Sequence, residues 1–258
     1  MNHMDDYETH ARRELLAWQA EMQREPGLFN VAAQRLQSKM NSYVPERIHE
    51  VVTAAVKQMI RAVLTGSQHT SQAPMLVGTL FEREKVVENK IAAYRRAAAA
   101  EGGITGAGGF FLGLADFPLL IGIKLKLLFE VAASYGHSTE ALAERLYLLH
   151  VFQLAFSSQQ HRRDVYGQMN GWQQRSRNLP SSIDEFDWRK FQQEYRDYID
   201  LAKLAQLLPV IGAPVGMVVN NRLVRKLGIT AIHAYRMRWF DEQDATQLKL
   251  APLAAASN

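Results

Sequence analysis

The chain has 258 residues, 47% of them hydrophobic and 22% charged, which is the balance of an ordinary globular protein with material for a sizeable core. It contains no cysteine, which excludes disulfides, thiolate nucleophiles and cysteine-based zinc or iron–sulfur centres. A formal net charge of +4 favours acidic partners slightly and does not mark a nucleic-acid binder.

The opening stretch MNHMDDYETHARREL has no apolar h-region, so no signal peptide is expected. Asp5 or Asp6 is placed to cap a first helix reaching about residue 23, with Tyr7, Ala11, Leu15 and Trp18 near one face. Glu25-Pro26-Gly27 ends it, and a second helix is predicted over about 29–41. Pro45 opens a third over 46–64, in which Ala55, Met59, Ile60 and Val63 fall at helical spacing. The segment 65–74, TGSQHTSQAP, reads as a linker. A charged helix over about 80–100 follows, with a narrow stripe of Val86, Val87, Ile91 and Tyr94.

Residues 101–136 hold half of the chain's glycines, its longest apolar run and a lone carboxylate within that run, Asp116. Each glycine costs a helix up to about 1 kcal/mol relative to alanine, so such a run persists where backbones approach closely. Gly102 and Gly106 share small-xxx-small spacing, as do Gly109 and Gly113. Pro118 disfavours helical geometry in the residue before it. A helix break is therefore predicted over 116–118, with Asp116 at or beside the N-cap of a helix over 118–135 and Gly136 at its C′ position. Residues 104–123 meet the length criterion for a membrane span. A mid-span Asp costing roughly 2.5–3.5 kcal/mol, a proline and the glycines argue instead for a buried helical hairpin.

Beyond Gly136, Ser138 is expected to cap a core helix reaching about 157, and the polar stretch 158–181 keeps weak periodicity in Val165, Met169 and Trp172. Ser182 and Glu185 make a capping-box pattern ahead of a helix over 184–208. LPVIGAPVGMVVNN then repeats the glycine–proline theme at 208–221, Gly228 is read as a stop, and a last helix is predicted over 229–243. The expected fold is all-α, a single domain over 1–258 of eight to ten helices, with a weak subdivision near 66–79. The hairpin around Asp116 is expected to pack against 208–228.

GGITGAGG followed by LADFPLLIGIKLKLLFEVAASYG resembles the central signature of the EcsC family. LPVIGAPVGMVVNN resembles that family's second signature, a Pro-x-x-Gly-Ala segment ending in Asn. The resemblance runs from about residue 18 to 240. It implies a bacterial protein whose namesake gene lies beside an ABC-transporter operon linked to protein secretion, and so a membrane transport or secretion complex as a partner. It implies no chemistry, because the family has no settled activity.

Asp116 reads first as a helix cap and second as a carboxylate facing a ligand or partner, with Lys124, Arg145 or Asn220 to balance it. Pro118, Gly102, Gly106, Gly212 and Asn220 join it as candidate ligand- or partner-binding positions. GGITGAGG lacks the Lys-Ser/Thr of a Walker loop and follows no strand, so helix packing is expected rather than a phosphate cradle. Histidines 137, 150, 161 and 233 are scattered without an HExxH motif, and no metal or cofactor is expected. No G-x-S-x-G elbow is present, and no catalytic residue is nominated. Arg222, Arg225 and Lys226 lie at i, i+3, i+4 beside apolar Met217 to Val219, and Lys124 and Lys126 follow the longest apolar run. Basic residues beside apolar helices suit an anionic membrane surface. The expected function is a non-enzymatic cytoplasmic protein held peripherally at the membrane, or at a membrane protein, and not a nucleic-acid binder. A hydrolase-like site near Asp116 and a soluble scaffold are the alternatives.

Overall fold

A computed structural model of the chain describes residues 3–25, 46–65, 72–107, 109–157, 159–179, 185 and 212–255. Eight helices occupy them: α1 (His3–Gln23), α2 (Glu46–Thr65), α3 (Leu80–Ala107), α4 (Gly109–Ser134), α5 (Leu142–Phe156), α6 (Gln159–Met169), α7 (Trp172–Ser176) and α8 (Gly212–Ala255). The fold is all-α. The helices predicted over 29–41 and 184–208, and most of the linker-like segment, lie outside the described residues.

The centre of the molecule is α5, where thirteen of fifteen residues are buried. A helix apolar on every side must be surrounded, and α2, α4, α6 and α8 surround it. From α2 the buried stripe Ala55, Val56, Met59, Ile60, Val63 and Leu64 faces α4 and α5. The turn between α4 and α5 is set by Gly136, at φ +92°. Its N–H donates to the Ala133 carbonyl and that of His137 to the Ala132 carbonyl, each at 3.0 Å, the double closure of a Schellman C-cap.

The longest element is α8, 44 residues and about 66 Å end to end. It runs antiparallel along α3, pairing Asn220 with Ala98, Asn221 with Arg95, Gly228 with Ile91 and Arg236 with Glu84. Gly228 does not stop this helix. A Cβ there would lie 2.6 Å from Ile91 Cδ1, so the missing side chain lets the two backbones close together.

Three further boundaries differ from expectation. Asp5 and Asp6 lie inside α1, which starts earlier, at His3. The interruption between α3 and α4 falls in the glycine cluster rather than over 116–118, and α4 runs through Asp116 and Pro118. Proline only weights local backbone choice, and packing on α2, α3, α5 and α8 outweighs it here. Ser138 accepts from the Glu140 N–H at 3.3 Å in the turn, whereas α5 begins later, behind Ala141, with no side-chain cap. The start of α3 carries a capping box: Thr79 N–H donates to Glu82 Oε2 at 2.8 Å, and Glu82 N–H donates to Thr79 Oγ1 at 3.3 Å.

Candidate anion-binding surface

Two buried ion clusters fix α8 and so aim its exposed face. In the first, Arg236 donates through Nε and Nη2 to both oxygens of Glu84 at 2.7 Å, and through Nη1 to Glu14 at 2.7 Å. Tyr7 and Tyr135 donate to the same Glu84 carboxylate at 2.5 and 2.8 Å. Burial alone would depress the Arg236 guanidinium, but its bonds to Glu84 and Glu14 outweigh that and hold it raised. In the second cluster Glu144 accepts from Tyr235 at 2.6 Å and from Arg238 at 2.5 Å, and Arg238 also donates to His137 at 3.0 Å. Burial first, then Arg238, lowers the pKa of His137, so it stays neutral and accepts that bond. Three helices (α1, α3 and α5) are thus tied to α8 through charge-assisted bonds.

Held this way, the α8 stretch ahead of the clusters turns one stripe outward. Val218, Arg222, Arg225 and Ile229 follow at i, i+4, i+7 and i+11, which is one helical face, and all four are exposed. Lys226 is exposed beside them. Arg222 and Arg225 make no ion pair with a described residue. Beside the stripe lies a cleft of about 560 Å³, walled by α1, the end of α5, α6 and α8. Arg162, Arg222, Arg225 and Lys226 line it, with Glu21 as the acidic member of its described lining.

Of the residues singled out from sequence, Arg222, Arg225 and Lys226 come together at this cleft. Lys126 is exposed on α4 and is not part of the described lining. Lys124 is a correction. It is fully enclosed, and its ammonium donates to Asn220 Oδ1 at 2.8 Å while Asn220 Nδ2 donates to the Ala98 carbonyl at 2.9 Å. The pair joins α4 to α8 and α3 in the interior, because a buried ammonium requires a bonded acceptor, and Lys124 is withdrawn from the surface set. Asp116 sits inside α4 rather than at its N-cap. Its side chain lies outside the described residues, as do those around Pro118, Gly102, Gly106 and Gly212.

Sequence reasoning passed over Glu84, Arg236, Glu144, Arg238, Arg162 and Trp18. One signal was available: AYRMRWF embeds two arginines in an aromatic run, and charges so placed require buried partners. Arg162 and Trp18 carry no such mark, since only the packing of α1 and α6 brings them to α8.

An all-helical chain with this central glycine-rich segment has clear relatives. It belongs to the EcsC protein family, whose model matches residues 9–240. It is 42% identical to Protein EcsC of Bacillus subtilis (strain 168) over 231 residues, covering 89% of this chain and 95% of that protein. It is 25% identical to the uncharacterized protein YdbA of the same organism over 191 residues, or 73% of this chain and 68% of YdbA. No solved structure matches the chain significantly.

Proposed function

We propose that this EcsC-family protein attaches peripherally to an anionic membrane surface, alone or beside a membrane transport protein, through the basic and apolar stripe of α8. The observation that carries the reading is that Arg222, Arg225 and Lys226 project from one helical face between exposed Val218 and Ile229. Side chains of this kind bind acidic headgroups by charge while their apolar neighbours enter the interface. None of the described helices is long and apolar enough to cross a membrane, and the attachment proposed is one made from outside the bilayer core. The reading is one of binding rather than catalysis, and the cytoplasmic leaflet, with its acidic lipids, is the surface it fits.

Co-sedimentation with phosphatidylglycerol vesicles tests it. Each basic side chain near such a surface contributes about 1 kcal/mol, so replacing all three by Gln costs about 3 kcal/mol, roughly a hundredfold in partition. Wild-type binding is expected to fall as salt is raised. Equal binding to phosphatidylcholine, or no change in the triple variant, would remove the reading.

A further inference from the structure

We infer that the cleft beside the α8 stripe binds a single phosphate ester carrying an apolar group. This deepens the surface reading, since Arg222, Arg225 and Lys226 serve both, but it rests in addition on α1 and α6. The described lining carries four cations (Arg162, Arg222, Arg225, Lys226) against one carboxylate (Glu21), so among the described residues cations outnumber carboxylates by 4 − 1 = 3. Glu21 is already engaged by Arg162 at 3.3 Å, which leaves the two α8 arginines facing the cleft without an anion of their own among the described residues.

The neutral groups of the cleft narrow the ligand's chemistry. The two hydroxyls of the described lining are committed as donors, Ser157 Oγ to the Leu154 carbonyl at 3.1 Å and Thr230 Oγ1 to the Lys226 carbonyl at 2.9 Å. A neutral polyol would meet few free partners there, whereas an anion meets guanidinium forks. Arginine pairs with phosphate through two parallel bonds, and three arginines around one space suit a group with several acceptor oxygens. The rest of the described lining is apolar, from Trp18, Met22, Leu154 and Ile229. Trp18 is braced from behind, stacked on His233 at 5.0 Å and edge-on to Tyr166 at 6.0 Å, so it presents a fixed surface. About 560 Å³ is the size of a cleft that encloses a drug-sized molecule, and a bare phosphate would leave most of it unfilled. Phosphate and apolar body together match the lining. A lipid headgroup with the start of its chains and a soluble phosphorylated compound share that chemistry.

Isothermal titration of the full chain separates the sources. The probes are dihexanoyl phosphatidic acid below its micelle concentration, dihexanoyl phosphatidylcholine, glycerol 3-phosphate and inorganic phosphate. The short-chain phosphatidic acid is expected to bind saturably with one molecule per chain, and the other three about tenfold more weakly or less. Arg162→Gln should weaken it about tenfold, because a charge-assisted bond is lost. Glu21→Gln should strengthen it several-fold, because the competing carboxylate is gone; a merely destabilised cleft would not give that gain. Both variants should keep the wild-type Tm, since the Arg162–Glu21 pair is an exposed one that contributes little to stability. Lack of saturable binding, indifference to both substitutions, or glycerol 3-phosphate binding as tightly as the short-chain lipid would each overturn the inference. Vesicle binding without short-chain binding removes the cleft ligand alone, and short-chain binding without vesicle binding removes the surface reading alone.

Discussion

Glu84 shows how much one side chain decides here. Its carboxylate is almost fully enclosed and accepts from Arg236, Tyr7 and Tyr135. Removing one partner of such a cluster leaves a charge buried without compensation, which costs more than the pair itself contributes. Glu84→Gln is therefore expected to destabilise the chain by about 3–5 kcal/mol. Tyr7→Phe, which deletes one bond to the same carboxylate, should cost about 1 kcal/mol. Urea denaturation of the two variants checks both. In the sequence, FEREK over 81–85 looks like a solvated charged face, yet Arg83 and Glu84 are buried while Glu82 and Lys85 are exposed. Charge composition cannot show this, because the partners come from 77, 51 and 152 residues away.

The histidines add a pH dependence at the same scale. Burial lowers His150 to about 4, and burial with Arg236 does the same for His233. Their folded-state values lie below the ordinary 6.5, so as pH falls the unfolded chain takes up protons that the folded chain refuses. Stability is then lost between about pH 6.5 and 4 and the loss levels off below. For the enclosed His150 the full effect is on the order of 3 kcal/mol. His150→Gln should flatten part of the fall in Tm over that window; an unchanged slope would contradict the assignment. Glu14 and Asp244, held low by Arg236 and Arg12, act in the same direction, but at and below the ordinary carboxylate range.

At the scale of elements, close packing of α8 on α3 depends on Gly228. Alanine gains up to about 1 kcal/mol in helix propensity, but its Cβ would overlap Ile91 by more than an ordinary contact allows. Overpacking of this kind costs about 1–3 kcal/mol, so Gly228→Ala is expected to destabilise overall. Adding Ile91→Val should recover part of the loss, a coupling that thermal melts of the single and double variants would reveal. A more stable Gly228→Ala variant would mean that the two helices are not in this contact. The sequence carried the apolar stripe of α2 and the Gly136 stop, both local signals. It did not show α8 as one helix, because a glycine that ends a helix and one that admits a neighbouring helix are the same letter. Thr79-x-x-Glu82 has the capping-box spacing, but the sequence reading did not single it out. Pro118 misled because its preference concerns isolated backbone, while α4 is packed on several neighbours.

For the whole molecule, the all-α class followed from apolar spacing along nearly every segment, and the family followed from two ordered motifs. The functional surface was legible by half. Arg222, Arg225 and Lys226 could be read from their spacing, whereas Arg162, Glu21 and Trp18 join them only through the packing of α1 and α6. Lys124 resembled a surface base because it follows an apolar run, and its place in the core is a matter of which face of α4 meets Asn220. The clusters at Glu84 and Glu144 hold α8 against α1, α3 and α5, so the stripe presents a fixed pattern of charge rather than a mobile tail.

Fractionation of the native protein between cytosol and membrane, with successive salt and carbonate washes, tests the central claim most directly. Peripheral attachment through α8 predicts protein in the membrane fraction that is released by high salt or by alkaline carbonate, with the Arg222→Gln, Arg225→Gln, Lys226→Gln triple variant found mainly in the cytosol. Protein that resists both washes, or a triple variant distributed like the wild type, would contradict it.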